Sequence, residues 1–133
     1  MAKNLVDVEI ITPDRVFYTG EATMIEFNTT EGEIGVYPNH IALTTVIAPG
    51  IVTISTEEEQ VKAAVHAGFA EILPDKVTLL AEIAEWPDEI DVKRAQAAEE
   101  RARERLEKKE ANLDVMRAEV ALKKALVRQN LKV

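Results

Sequence analysis

The sequence predicts an α+β protein in two parts: an N-terminal antiparallel β-sandwich over residues 1–86 and a C-terminal antiparallel two-helix hairpin over residues 87–133. Three observations carry this. Short β-branched runs separated by turn residues roughly every ten positions fill the first part, which is the pattern of a sandwich or barrel. After Trp86-Pro87 there is no further glycine or proline, and alanine, glutamate, arginine, lysine and leucine take over, the composition of long helices. Charge divides at the same place: residues 1–87 carry 4 Lys/Arg against 14 Asp/Glu, and residues 88–133 carry 12 against 10.

The elements follow in order. Leu5 to Ile11 begins with alternating character and ends at the turn Thr12-Pro13-Asp14, where proline and aspartate favour reversal. Arg15 to Tyr18 stops at Thr19-Gly20, Ala22 to Phe27 at the polar stretch Asn28 to Gly32, and Ile34 to Tyr37 at Pro38-Asn39. Ile41 to Ala48 is closed by Pro49-Gly50. Ile51 to Thr56 faces Val61 to His66 across Glu57 to Gln60, and the runs Phe69 to Leu73 and Val77 to Ile83 flank Pro74-Asp75-Lys76. In the second part Asp88 and Asp91 suit a helix start, where free N–H groups and the helix dipole favour carboxylates. Ala95, Ala98, Ala102 and Leu106 recur at helical spacing as one apolar stripe. Glu107 to Glu110 interrupts it, Asn112 or Asp114 offers a second cap, and Ala111, Val115, Ala118, Leu122 and Ala125 form a second stripe. A short connection between two such helices reads as an antiparallel hairpin. Its alanine seam permits close approach but buries little apolar area, at about 25 cal/mol per Å². The hairpin is therefore expected to be marginally stable and able to leave its docked position.

Composition excludes several classes. The 133 residues, 47% of them apolar and 5% aromatic, support a modest aliphatic core. No cysteine is present, so disulfides, thiolate metal sites and thiol catalysis are ruled out. A net charge of −8 argues against nonspecific nucleic-acid binding. No apolar run approaches the roughly 20 residues needed to cross a bilayer, and Met1 to Ile10 lacks signal-peptide character. A soluble intracellular protein without membrane insertion is expected. The glycines (Gly20, Gly32, Gly35, Gly50 and Gly68) do not open a phosphate-binding loop of the Walker type. His40 and His66 are the only histidines, and each reads as an ordinary surface or packed residue. Without cysteine or a histidine pair, a metal enzyme is disfavoured.

The basic residues of the tail leave two readings open. Asp91, Arg94, Arg101, Arg105 and Lys108 share roughly one helical face, and Arg117, Lys124 and Arg128 share another. Opposed guanidinium forks suit phosphate oxygens. Spacing alone favours a solvated, salt-bridged surface with four-residue pairs such as Glu104–Lys108 and Glu119–Lys123. A coiled-coil seam or a membrane-surface helix ranks below a partner-docking helix, because the stripes are short and mostly alanine.

Glu31-Gly32-Glu33-Ile34-Gly35-Val36-Tyr37-Pro38-Asn39-His40 resembles a loop of the epsilon subunit family of bacterial F-type ATP synthases. Ala67 to Ile72 with Pro74 to Thr78 resembles the next stretch of that family. Ile90-Asp91-Val92-Lys93-Arg94-Ala95 is similar to the I-D-x-x-R-A motif of its ATP-binding members. The resemblance runs in order from about Val8 to Arg128. It implies a central-stalk subunit without an active site, peripheral on the cytoplasmic face of the membrane, whose partners are the gamma subunit, the c-ring and the alpha and beta subunits. Glu31, Gly32, Glu33 and His40 would mark the c-ring-facing edge. The tail would alternate between a folded hairpin and an extended form that blocks ATP hydrolysis, with Arg117, Lys123, Lys124 and Arg128 meeting the beta subunit. The resemblance also implies regulatory ATP held by Glu85, Ile90, Asp91, Arg94, Ala95, Arg101, Lys124 and Arg128; whether magnesium accompanies it is left open. Lys124 stands where a related member has arginine, and lysine keeps the charge but loses the planar fork. A free-standing adaptor is the competing class, and an enzyme built on a carboxylate pair comes third.

Overall fold

The computed structural model describes residues 4–108 and 114–132. Eight strands come first: β1 (Val6–Ile11), β2 (Val16–Ala22), β3 (Met24–Thr29), β4 (Gly32–Val36), β5 (Leu43–Val46), β6 (Gly50–Ser55), β7 (Gln60–Ile72) and β8 (Lys76–Glu85). A single 3-10 turn, Pro87–Glu89, leads to α1 (Val92–Lys108) and α2 (Val115–Lys132). The β-sandwich followed by a helical pair is the predicted architecture.

Hydrogen-bonded neighbours run in the order β2-β1-β8-β7-β6-β3-β4, with β5 on β7. The pairs are antiparallel except β1 with β8, which run parallel from Asp7↔Lys76 to Ile11↔Leu80. That pairing joins the first strand to the last, a long-range contact that local turn signals do not encode. Alternate residues of the strands point inward: Val6, Val8 and Ile10 from β1, Ile25 and Phe27 from β3, Val52 and Ile54 from β6, and Val77 and Leu79 from β8 share one buried cluster. The two ends of the pairing path therefore face each other across a common aliphatic core, as the low aromatic content requires.

Three strand assignments differ from the sequence reading. Thr19-Gly20 does not end the second strand, which runs on to Ala22 in register with β1. Val61–His66 and the run from Phe69 as far as Ile72 are not separate strands but parts of β7. Ala67 (φ 59°) and Gly68 (φ 121°) take left-handed backbone in mid-strand, at the point where the partner changes from β6 to β5. A Cβ on Gly68 would strike the carbonyl oxygen of Leu80, so glycine is required there on two grounds. The apolar run Ile41 to Ala48 yields only the four-residue β5, and Ile41, Leu43 and Val46 lie exposed.

Trp86 fixes the junction between the two parts. Its ring stacks on Phe17 with centroids 4.2 Å apart and meets Tyr18 edge-on at 6.3 Å. Arg15 grips both oxygens of Glu89 at 2.9 Å, and Glu89 accepts the Trp86 backbone N–H. The chain thus enters α1 at a fixed angle, with Asp91 as its cap through the Arg94 N–H. Asp114 caps α2 in the same way through Arg117. Ala111 and Asn112 lie outside the described residues. The seam between the helices is made of Ala95, Ala102, Ala118 and Ala125, all buried. Val115, predicted for that seam, is instead exposed; it is the first residue of α2, and the buried seam of this helix begins at Ala118. A cross-helix bond from Gln129 to Glu99 (2.9 Å) completes the pair.

Ala63 to His66 are four consecutive buried residues in β7. Ala63 and Val65 belong to the sandwich core. Ala64 and His66 must point to the opposite face, since side chains alternate along a strand. There α2 packs on β6 and β7, and it is this contact that docks the hairpin.

Candidate functional site

A cleft of about 320 Å³ opens where the sandwich, the 3-10 turn and both helices meet. Its walls are Glu85 from β8, Glu89 from the turn, Asp91 at the α1 cap, Arg94, Ala95, Ala98 and Arg101 from α1, and Arg128 from α2. Six of the eight residues put forward as nucleotide ligands line it: Glu85, Asp91, Arg94, Ala95, Arg101 and Arg128. Ile90 is buried at 6% exposure, and neither it nor Lys124 is among the walls. Arg105 and Lys108 are also absent, and Lys108 instead pairs with Glu104 at 2.8 Å.

Charge in the cleft is organised by partnership. Glu85 Oε1 accepts from Arg128 Nε at 2.7 Å and from His66 Nε2 at 3.1 Å. The His66 bond, joined by that of Arg128, outweighs partial burial and holds the Glu85 carboxyl at a pKa of about 2. Glu89 is likewise held below the usual carboxylate range by the Trp86 backbone N–H and by Arg15. Asp91 faces the N–H groups of its own helix. All three carboxylates are thereby engaged, while Arg94 and Arg101 form no ion pair among the described residues. The guanidiniums of Arg94 and Arg101, and the Nη nitrogens of Arg128, which form no hydrogen bond among the described residues, give the cleft the character of an anion site. Among the described residues no group of three or more His, Cys, Asp or Glu is disposed to hold a metal ion.

The remaining predicted residues lie elsewhere. Glu31 lies in the exposed β3–β4 turn, closed by Thr29 Oγ1 donating to the Gly32 carbonyl at 2.7 Å, and Gly32 and Glu33 open β4. His40 sits in the next loop with Nδ1 2.7 Å from the Ile41 carbonyl, and that loop is tied to the β7–β8 turn by Asn39 N–H to Pro74 O. Arg117 and Lys123 are exposed on α2.

Three features escaped the sequence reading. His66 is fully buried, although nothing in its sequence neighbours marks it as an ion-pair partner. Glu89 stands beside the I-D-x-x-R-A segment and could have been included on that ground. An apolar ladder crosses the outer face of five strands in register, Val46↔Phe69↔Leu80↔Ile11↔Val16. Phe69 on this ladder is 57% exposed. Its members come from five different strands, so only the strand pairing reveals it.

Comparisons with known proteins bear on the whole chain. The family model "ATP synthase, Delta/Epsilon chain, beta-sandwich domain" matches residues 5–87, and "ATP synthase, Delta/Epsilon chain, long alpha-helix domain" matches residues 88–131. The ATP synthase epsilon chain of Brevibacillus brevis is 52% identical over 80% of this chain and 82% of its own. That of Caldanaerobacter subterraneus is 46% identical over 91% and 88%, and that of Ruminiclostridium cellulolyticum 43% over 91% and 90%. A chain of the Euglena gracilis mitochondrial ATP synthase superposes with a TM-score of 0.83 at 21% identity, covering 98% of this chain and 82% of that one. A chain from the central stalk and c-ring structure of the Tetrahymena thermophila mitochondrial enzyme gives 0.62 at 14% identity, covering 100% of each. At such identities these two likenesses establish the fold alone.

Proposed function

Because the chain belongs to the epsilon-chain family of ATP synthases, we propose that it is a non-catalytic central-stalk subunit whose helical tail senses ATP. The sandwich sits against the gamma subunit and the c-ring on the cytoplasmic face of the membrane and transmits rotation. The tail restrains ATP hydrolysis when extended toward the alpha and beta subunits, and bound ATP keeps it folded. Docking on the stalk draws support from the apolar ladder Val46–Phe69–Leu80–Ile11–Val16, since exposed apolar patches mark interaction surfaces.

The observation that carries the sensing role is the composition of the cleft. Its cations come from α1 (Arg94, Arg101) and α2 (Arg128), and its floor from β8 (Glu85). These groups converge only while the hairpin is folded and docked, so a ligand held by all of them favours that state. ATP supplies phosphates for the guanidiniums and a base to lie beside Ala95 and Ile90. A ligand specific for the folded state stabilises it by about 2.7 kcal/mol at a hundred times its Kd. That shifts a two-state tail by about two decades. Abundant ATP then permits rotation, and falling ATP frees the inhibitor.

Calorimetric titration of ATP into the full chain, beside Asp91→Ala/Arg94→Ala, tests this reading. Heat in the wild type and none in the variant is the expected result. No heat from either protein at millimolar ATP would remove the sensor and leave a stalk subunit whose tail is governed otherwise.

A further inference from the structure

The His66 imidazole is fully buried in β7, yet only one of its nitrogens has a partner. Nε2 lies 3.1 Å from Glu85 Oε1, and Nδ1 has no hydrogen-bond partner among the described residues. The ionised carboxylate can only accept, so Nε2 carries the hydrogen. The same carboxylate oxygen takes Arg128 Nε at 2.7 Å. Three groups from three elements thus stand in series: His66 on the sandwich, Glu85 at the end of β8, and Arg128 on α2. A buried polar atom without a partner costs stability, so packing alone would favour an apolar residue of similar size at position 66. The arrangement is accounted for if what His66 provides is the Nε2 hydrogen bond.

We propose that His66 is a positioning residue which, by fixing the Glu85 carboxylate, orients Arg128 and latches the helical hairpin to the sandwich. Glu85 without His66 keeps its attachment to β8 but can turn about its side-chain bonds. Arg128 then loses the fixed acceptor that holds its Nε toward the sandwich and leaves its Nη nitrogens turned to the cleft. This is the logic by which outer partners orient ligand-binding groups elsewhere. Of the other charges near the relay, Glu89 is held by Arg15 and Asp91 by its helix, β6 carries no ionisable side chain between Gly50 and Ser55, and Arg94 and Arg101 line the same cleft without an ion pair to Glu85 among the described residues. The effect on nucleotide affinity rests on the ATP-sensing reading above, whereas the latch itself does not.

The test compares His66→Leu, His66→Gln and the wild type as full chains, using amide exchange of α2 without nucleotide and urea unfolding of the sandwich. Leucine removes the donor and also the orphaned nitrogen; glutamine restores a donor at about the same reach. The expected result is that His66→Leu leaves the sandwich as stable as before or more so, yet speeds α2 exchange by about tenfold, the scale of a hydrogen bond to a charged group. His66→Gln returns exchange toward the wild type. Adding His66→Leu to Arg128→Ala produces little further acceleration, because the two act in series. Unchanged α2 exchange in His66→Leu, failure of glutamine to rescue it, or full additivity with Arg128→Ala would each overturn the proposal. ATP titration of the same proteins then reads the orientation of Arg128. Absence of binding even in the wild type would strike the sensing reading, while the exchange data decide the latch by themselves.

Discussion

Lowering the pH should loosen the tail through Glu85, and the size of the effect follows from the geometry. Glu85 has its pKa depressed from an ordinary 4.5 to about 2, by the His66 hydrogen bond first and Arg128 after it. A depressed carboxylate adds stability that is fully present above its unfolded pKa and is lost as pH falls through the folded value. The relevant window therefore runs from about 4.5 down to about 2. Taken at full strength the depression corresponds to about 3 kcal/mol. Glu85 and Arg128 keep 22% and 26% of their side chains exposed, and screening by solvent reduces the expected contribution to about 1–2 kcal/mol. Urea unfolding followed by Trp86 fluorescence, repeated at steps of pH, measures it. Glu85→Gln is weaker at neutral pH but has no proton to gain, so its curve should fall less steeply through the window. Asp14, Glu89, Glu99 and Glu104 also have lowered values. They are present in both proteins and cancel in the difference. Equal slopes for the two proteins across the window would refute the reasoning that Glu85 is anchored as an anion.

Two further substitutions probe the two parts separately. Gly68→Ala places a methyl group against the Leu80 carbonyl at a residue with φ of 121° and should cost about 2 kcal/mol or more, read as a lower urea midpoint for the sandwich. Ala125→Leu overfills a fully buried position in the helix seam, with a cost of about 1–3 kcal/mol, and should speed proteolysis of α2 while sandwich unfolding stays unchanged.

Local chemistry made much of this architecture legible. Proline and glycine punctuation separated most of the strands, and the loss of both after Pro87 marked the helices, because those residues act on the backbone within one or two positions. The seam alanines Ala95, Ala102, Ala118 and Ala125 followed from period alone. Pairing did not follow. The parallel β1–β8 contact joins segments about seventy residues apart, and the apolar ladder across five strands exists only once that pairing is made. Ala67-Gly68 resembled a strand end because glycine is ambiguous between a break and a left-handed residue inside a strand. In the cleft, Arg94 and Arg101 were visible as a helical face. The same spacing also grouped Arg105 and Lys108 with them, though neither lines the cleft. A helix face extends along its whole length, and only the position of the sandwich decides which turn becomes a wall. His66 was the least legible, since its role depends on a carboxylate nineteen residues away across a strand pair.

The materials of the docked tail suit the switch proposed for it. Had leucines filled the seam, each would contribute about 1.5–3 kcal/mol on burial, and several together would exceed what a ligand can shift at ordinary concentrations. Alanine gives each contact a small value. The contact with the sandwich is also slight: α2 lies over Ala64 and His66, and Arg128 reaches Glu85 by a single bond from Nε. With the Glu85 contribution near 1–2 kcal/mol, a ligand term of about 2.7 kcal/mol at a hundred times Kd is of the same order as the latch it reinforces. That parity allows occupancy of the cleft to decide the state of the tail. An interface several times stronger would stay closed whatever the nucleotide level, and one several times weaker would stay open.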